Sequence, residues 1–376
     1  WAADGALRGV ALVIGQSKYE TLTPLPNPTQ DARAIDDLLN DLGFEVERVL
    51  NADADELREA IDDFIEDAED ADVALVYYSG HGIEVAGQNY LIPTDTDLAT
   101  PESAGDALVP VAPLLDGLAK VVPVTIVLLD ACRSDPFPAG TVVRLPGEAA
   151  PIEIAGGGLA AVRGPTPLAR PDADPQGLGA VIGFAAEPGQ PALDGAPGEN
   201  SPYAAALLKH LGAGGFSFGD VMTMVSEEVY LKTRAQQLPW TNSSLRRVLT
   251  FAAPPPADAD QSAIAAARRT LLLSIAETPP ETRGYVEALA GEENVPLDAL
   301  YGMLDVLGVK ADGSDADLTE QLQKGAEKLK ELMAQRSVAV KADAELERLS
   351  RLADQAEAEG AIALALDYRN QASGRA

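Results

Sequence analysis

Over the first 250 residues, short apolar runs alternate with longer amphipathic stretches. "GVALVIG" (9–15) is continuous in its apolar character, the form of a parallel strand buried on both faces. "NPTQDARAIDDLLNDLG" (27–43) follows with Asn and Pro at its start, apolar residues at helical spacing and Gly43 at its end. "FEVERVL" (44–50) alternates as a strand, "DADELREAIDDFIEDAEDAD" (52–71) is an acidic amphipathic helix, and "VALVYY" (73–78) is the next strand. A short extended piece at "NYLIP" (89–93), a helix near 110–120 and the strand "VTIVLLD" (124–130) complete this half. Such alternation predicts an α/β fold with a mostly parallel central sheet, its crossovers right-handed and helices on both faces.

The pattern lapses between 134 and 178, where "PFPAG", "AGGG" and "RGPTPLARPDADPQG" predict a long exposed loop. Order returns with the strand "AVIGFAA" (180–186). Two helices follow it, "SPYAAALLKHL" (201–211), with Ser at the cap and Pro in the first turn, and "FGDVMTMVSEEVYLKTR" (218–234). "FAAPPPADAD" (251–260) contains a linker at 253–260. Beyond it, 261–376 is rich in Ala, Leu, Glu and Lys at helical spacing, an all-α region of antiparallel helices with no sustained repeat.

Charge narrows the partners. A formal net charge of −31 disfavours nucleic acid and anionic membranes, whose phosphates such a field repels. The plain reading of that acidity is solubility; the sharper one is a field that attracts cationic protein substrates. No apolar run approaches the ~20 residues of a membrane span. The start, "WAADGALRG", lacks an initiator Met, and Trp1-Ala2-Ala3 has the small-residue form of the end of a removed secretory signal. The expectation is an exported, periplasmic or secreted protein; a truncated chain, cytoplasmic in origin, would begin the same way.

The candidate chemistry sits at two strand ends. "VALVYYSGHGIE" (73–84) delivers His81, one of two histidines, and "VPVTIVLLDACRSDPF" (122–137) delivers Cys132, the single cysteine. One cysteine excludes an internal disulfide and a cysteine-based zinc site. Open α/β sheets place ligands at the carboxyl ends of their strands, and one crossover separates these two. A thiolate is a strong nucleophile, and a neighbouring imidazole can take the thiol proton and return it to a leaving amine. Gly80 and Gly82 flank the histidine and permit unusual backbone angles and close substrate approach. The amides of Gly82 and Cys132 are candidates for holding an oxyanion. A lone Cys is more commonly a small buried hydrophobe; the joint placement of the two residues favours chemistry. His210 ends a helix, where a cation suits the dipole, and is read as structural. "GQSKY" and "YSGHG" both fail the serine-nucleophile elbow, and Gly156 to Gly158 open no phosphate loop.

"YYSGHG" followed about fifty residues later by "DACRS" resembles the caspase–metacaspase superfamily of cysteine peptidases, in which the His lies about fifty residues before the nucleophile. The resemblance takes in "ALVIGQSKYETLTPLPNPTQDA" and "GFAAEPGQPALDG…NSPYAAALLKHL", residues 8 to about 252. It implies a caspase–haemoglobinase fold and a peptidase domain over 1–252. Within that domain 8–133 is large-subunit-like, 134–178 is the inter-subunit linker and 179–252 is small-subunit-like. It implies Cys132 as nucleophile, His81 as general acid and base, and Gly82 with Cys132 as oxyanion donors. Asp130 stands where caspases carry Gln and metacaspases Asp, and metacaspases cut after Arg or Lys. Asp31, in "NPTQDA", matches a second pocket carboxylate. Both are therefore candidate substrate-binding residues, and Arg144, Arg163 and Arg170 in the linker are candidate self-processing sites. Metacaspases typically carry His and Ser-Gly after the nucleophile; this chain has Arg133-Ser134-Asp135.

The resemblance implies no required cofactor. Calcium activation in several metacaspases uses an Asp cluster, of which Asp95 and Asp97 match only fragments. The expected function is thus an endopeptidase acting on protein or peptide substrates with basic residues. Its rivals are an idle caspase-like scaffold whose helical tail recruits a protein partner, and a same-fold enzyme that cuts after Asn or more broadly.

Overall fold

The computed structural model describes residues 7–97, 107–132, 137, 140–145, 150–154, 178–188, 190, 192–252, 258–308, 315–334 and 344–373. The chain forms two compact units, Trp1–Ala253 and Pro254–Ala376.

The first unit is built on one sheet. Its strands are β1 (Gly9–Gly15), β2 (Phe44–Leu50), β3 (Val73–Val85), β4 (Gln88–Leu91), β5 (Val109–Pro110), β6 (Val124–Cys132), β9 (Gly179–Phe184) and β10 (Trp240–Ser243). The order across it is β10-β9-β6-β3-β1-β2. β2, β1, β3, β6 and β9 are parallel, whereas β10 closes one edge antiparallel to β9. β4 turns back on the far end of β3, and β5 pairs with β4.

The helices of this unit are α1 (Pro28–Asp41), α2 (Ala54–Asp67), α3 (Val111–Val121), α4 (Pro202–His210) and α5 (Phe218–Lys232). Successive side chains of a strand point to opposite faces. Val10, Leu12, Ile14, Val76 and Leu129 accordingly form one core with Leu57, Ile61 and Phe64 of α2 and Leu114 and Leu118 of α3. The other face of β1 meets α1, where a Cβ at Gly15 would stand 2.6 Å from the Pro28 carbonyl oxygen. Both faces are covered, which is why "GVALVIG" has no polar alternation.

Two elements differ from the sequence expectation. β3 does not stop at Tyr78 but runs on to Val85, because β6 pairs with it as far as His81 and β4 pairs with it from Gly82 to Val85. The described residues within 134–178 are not an exposed loop either. β7 (Val142–Val143) and β8 (Ile152–Glu153) form an antiparallel hairpin. Its Val143, Leu145 and Ile154 are buried with Tyr19, Ile83, Val85, Tyr90 and Ile92. Three scattered apolar residues carry no periodicity, so burial against a distant strand is invisible in the local pattern.

The second unit comprises α6 (Ala259–Glu277), α7 (Pro280–Glu293), α8 (Leu297–Val306), α9 (Asp315–Ala334), α10 (Ala344–Ala358) and α11 (Ile362–Ser373). Ile264, Leu349, Leu352, Ala356, Ala365 and Tyr368 form a core there. Arg268 is fully buried and is compensated by Asp298 at 3.1 Å and the Glu359 carbonyl at 2.9 Å. Among the described residues, no helix is long and apolar enough to cross a membrane.

Candidate active site

The extension of β3 fixes the first relation of the site. Its parallel register with β6 pairs Ser79 with Asp130, Gly80 with Ala131 and His81 with Cys132. Adjacent strands lie about 4.8 Å apart, so the backbones of His81 and Cys132 are immediate neighbours. Cys132 is the last residue of β6, whereas His81 lies within β3 rather than beyond its end.

His81 is held from several directions. It is 5% exposed. Its Nε2 lies 2.8 Å from the carbonyl oxygen of Thr23. A carbonyl only accepts, so Nε2 carries the proton, and Nδ1 is left as the basic nitrogen. Nδ1 is buried and has no hydrogen-bond partner among the described residues. Burial lowers the His81 pKa below its ordinary value, and the Thr23 carbonyl, which favours the charged ring, pulls it partly back. The imidazole is therefore neutral at neutral pH, ready to accept a proton.

Tyr19 covers the imidazole, with ring centroids 4.5 Å apart, and its hydroxyl accepts from the His81 amide at 2.7 Å. The Tyr78 hydroxyl donates to the His81 carbonyl at 2.6 Å. These two hydroxyls explain Gly80: a Cβ there would stand 2.8 Å from each, and φ is +158°. Gly82 instead continues the strand, paired with Leu91.

Thr23 and Tyr19 sit in the loop between β1 and α1, which is pinned at several points. Gln16 exchanges two hydrogen bonds of 2.9 Å with the backbone of Ala52. Asn51 Oδ1 accepts from the amides of Ser17 and Lys18, and Glu20 N donates to the Thr94 carbonyl. A backbone carbonyl has no sequence signature. That is why sequence reading found a histidine with no third partner and missed Thr23.

The second relation is a buried pair of carboxylates. Asp130 is 6% exposed, and its Oδ2 accepts from Tyr77 Oη at 2.9 Å and Ser201 Oγ at 2.5 Å. Asp31, in the first turn of α1, is 0% exposed. Its Oδ1 accepts from the Ser201 amide at 3.0 Å, and its Oδ2 is buried without a hydrogen-bond partner among the described residues. Burial is the main reason both carboxyls lie above the ordinary carboxylate range. The charge of Asp130 pushes Asp31 further up, and Asp194 pushes on both. The Ser201 and Tyr77 hydroxyls pull Asp130 down, as the Ser201 amide and the Ser79 hydroxyl do Asp31. The pair thus tends to hold a proton near neutrality and to give it up to an incoming cation.

The sequence singled out Asp31 and Asp130 but not Asp194 or Ser201. Both lie about 170 residues from Asp31, and the link runs through Asn27. Asn27 stands at the start of α1 but makes no side-chain cap. Its side chain instead donates to the carbonyls of Asp194 (2.6 Å) and Ala196 (3.0 Å) and accepts from the Gly198 amide (3.0 Å). Gln30 adds a bond to the Gly198 carbonyl at 3.0 Å. A helix cap is replaced here by a clamp on the loop that leads to Ser201.

The remaining candidates fall elsewhere. His210 is buried at the end of α4, with Nε2 3.1 Å from Glu228 Oε2. Arg144 lies between β7 and β8 and is half-buried. Arg163 and Arg170 lie outside the described residues. Asp95 Oδ1 accepts from the Ala54 amide at the start of α2. Among the described residues no cluster of three metal-ligating side chains is present.

This geometry can be set against known proteins. Residues 8–250 match the caspase domain, peptidase family C14. The chain belongs to the caspase-domain family. Membership places it, at the level of class, among caspase-like cysteine peptidases, and its mostly parallel, helix-covered sheet is the caspase fold. An 86-residue segment is similar to human mucosa-associated lymphoid tissue lymphoma translocation protein 1, at 35% identity. The mouse homolog is 34% identical over 86 residues. The match covers 23% of this chain but 10% of each relative. Among solved structures, caspase-1 from Spodoptera frugiperda is similar with a TM-score of 0.44 and 21% identity, over 66% of this chain and 93% of that one.

Proposed function

We propose that the caspase-like unit is an endopeptidase that cuts after arginine or lysine through a Cys132–His81 dyad. The observation that carries this reading is the β3–β6 register, which pairs His81 with Cys132 and, two residues earlier, Ser79 with Asp130. One ladder thus carries both the reacting residues and a wall of the specificity pocket.

In the first step His81 Nδ1 takes the proton from the Cys132 thiol, and the thiolate sulfur attacks the carbonyl carbon of the scissile bond. The amides of Gly82 and Cys132 hold the resulting oxyanion. The imidazolium, steadied by the Thr23 carbonyl, then gives its proton to the leaving amine as the C–N bond breaks, leaving a thioester. Water, deprotonated by the same nitrogen, attacks the thioester; the carboxylic acid leaves and the thiol is restored.

Asp31 and Asp130 form the pocket for the side chain preceding the cut. Two carboxylates that resist sharing a buried site without a counter-ion are relieved by a cation, which favours Arg and Lys over neutral residues. Profiling cleavage of a peptide library tests this. Cuts confined to bonds after Arg and Lys are expected; cuts after Asn, or across many residue types, would overturn the specificity.

Self-processing follows from the same specificity. Arg144 is flanked by the buried Val143 and Leu145 and sits between paired strands, a poor substrate for a peptidase that needs an exposed segment. Intact-mass analysis of aged protein is expected to show cuts after Arg163 or Arg170, none after Arg144, and none in Cys132→Ala. A dominant cut after Arg144 would contradict the hairpin's protection.

A further inference from the structure

We propose that Ser201 is the positioning residue that sets arginine above lysine, by aligning the two carboxylates of the pocket as a two-pronged acceptor. The inference rests on the basic specificity proposed above. Ser201 is buried and touches both acids: its amide donates to Asp31 Oδ1 at 3.0 Å, and its hydroxyl to Asp130 Oδ2 at 2.5 Å.

The direction of the hydroxyl proton is fixed. Ser201 Oγ accepts from the Ala204 amide at 2.9 Å as the cap of α4, so its single proton is free to point at Asp130. Each acid is thereby held by one oxygen. Among the described residues Asp31 Oδ2 is buried with no hydrogen-bond partner, and Asp130 spends Oδ2 on both Ser201 and Tyr77, which leaves its Oδ1 for an incoming group. Two oxygens that Ser201 leaves unpartnered on separate elements, α1 and β6, suit a planar guanidinium with parallel N–H donors once a substrate enters between them. An ammonium is a compact point charge and gains less from their alignment.

Ser201 itself is placed by the loop that Asn27 and Gln30 clamp, which also carries Asp194. The second half of the chain therefore tunes a pocket whose acids come from the first half. The groups facing the pair are Tyr77, Ser79, Asp194, Ser201 and Tyr203. Among the described residues none of them is cationic, and alignment there falls to hydrogen bonds.

The test compares wild type, Ser201→Ala, Ser201→Gly and Ser201→Thr on matched peptides ending in Arg or Lys before the cut. Glycine keeps most of a helix cap's stability while removing the hydroxyl, and so separates capping from alignment. In both Ser201→Ala and Ser201→Gly the Arg-to-Lys ratio of kcat/KM should fall about tenfold, with Ser201→Thr close to wild type. The acid limb of the Arg profile should also move to higher pH, because the hydroxyl bond that lowers the Asp130 pKa is gone. A cap alone would reduce both substrates equally and leave that limb in place. An unchanged ratio in Ser201→Ala and Ser201→Gly, with Arg cleavage by the wild type intact, would overturn the inference alone. Failure of the wild type to cut after Arg would overturn the specificity reading and this inference with it.

Discussion

Cys132→Ala is expected to abolish peptide hydrolysis, a loss of about 10⁴-fold or more, while the protein stays folded. Cys132 is the single thiol of the chain, so no second sulfur can substitute. The alanine removes one atom at the end of β6 and leaves the register with β3 unchanged. Circular dichroism and the thermal midpoint should match wild type within a few degrees. His81→Ala should cost roughly 10²–10⁴-fold, because both the proton acceptance and the proton return are lost. It should also slow alkylation of Cys132 by iodoacetamide, since an imidazole no longer draws off the thiol proton. Turnover by Cys132→Ala at the wild-type rate would remove Cys132 as the nucleophile and overturn the dyad; no turnover by the wild type would leave the protein a caspase-like scaffold.

Asp31→Asn should weaken cleavage after Arg and stabilise the protein together. The asparagine oxygen still accepts from the Ser201 amide, so the change removes charge with little change of shape. Loss of one carboxylate should lower kcat/KM for Arg peptides by at least about tenfold, roughly 1.4 kcal/mol of transition-state binding. Asp130→Gln should act in the same direction.

The stability effect has a definite sign. Burial raises the Asp31 pKa above its unfolded value. Its contribution is then intact below the unfolded pKa and is lost as pH rises through the folded one. Wild type should therefore lose thermal stability relative to Asp31→Asn between pH 5 and pH 8, by about 2–4 °C for each kcal/mol. Substrate binding runs the other way. The ionised pair holds the cation, so KM for Arg peptides should fall as pH rises over the same window, and this dependence should flatten in Asp31→Asn. Equal midpoints at both pH values, or wild-type Arg cleavage by Asp31→Asn, would remove Asp31 from the pocket.

The sequence by itself determined the alternation of strands and helices, the parallel sheet and the separate helical region. Each is written in a local apolar period that needs no distant partner. It also determined the pairing of His81 with Cys132 as candidates, because two scarce residue types stand at the ends of core runs. Asp31 and Asp130 came through resemblance rather than pattern. Tertiary structure decided the rest. The length of β3 depends on β4 and β6 continuing beside it, so the apolar run ending at Tyr78 understated it. The pairing of β7 with β8 sits where Val143 and Ile154 are buried against Ile83 and Tyr90, a contact no local pattern carries.

At the site, the Thr23 carbonyl that fixes the imidazole belongs to backbone, which every residue possesses, and only the path of the loop brings it to His81. Ser201 and Asp194 reach Asp31 across about 170 residues through the Asn27 clamp. A polar residue at a helix start is satisfied locally by a cap, and nothing in its neighbours' identities tells that it will instead serve a distant loop. The sequence therefore specified which residues could react. Folding specified which nitrogen of His81 is basic and which oxygens of the two acids Ser201 and Tyr77 hold.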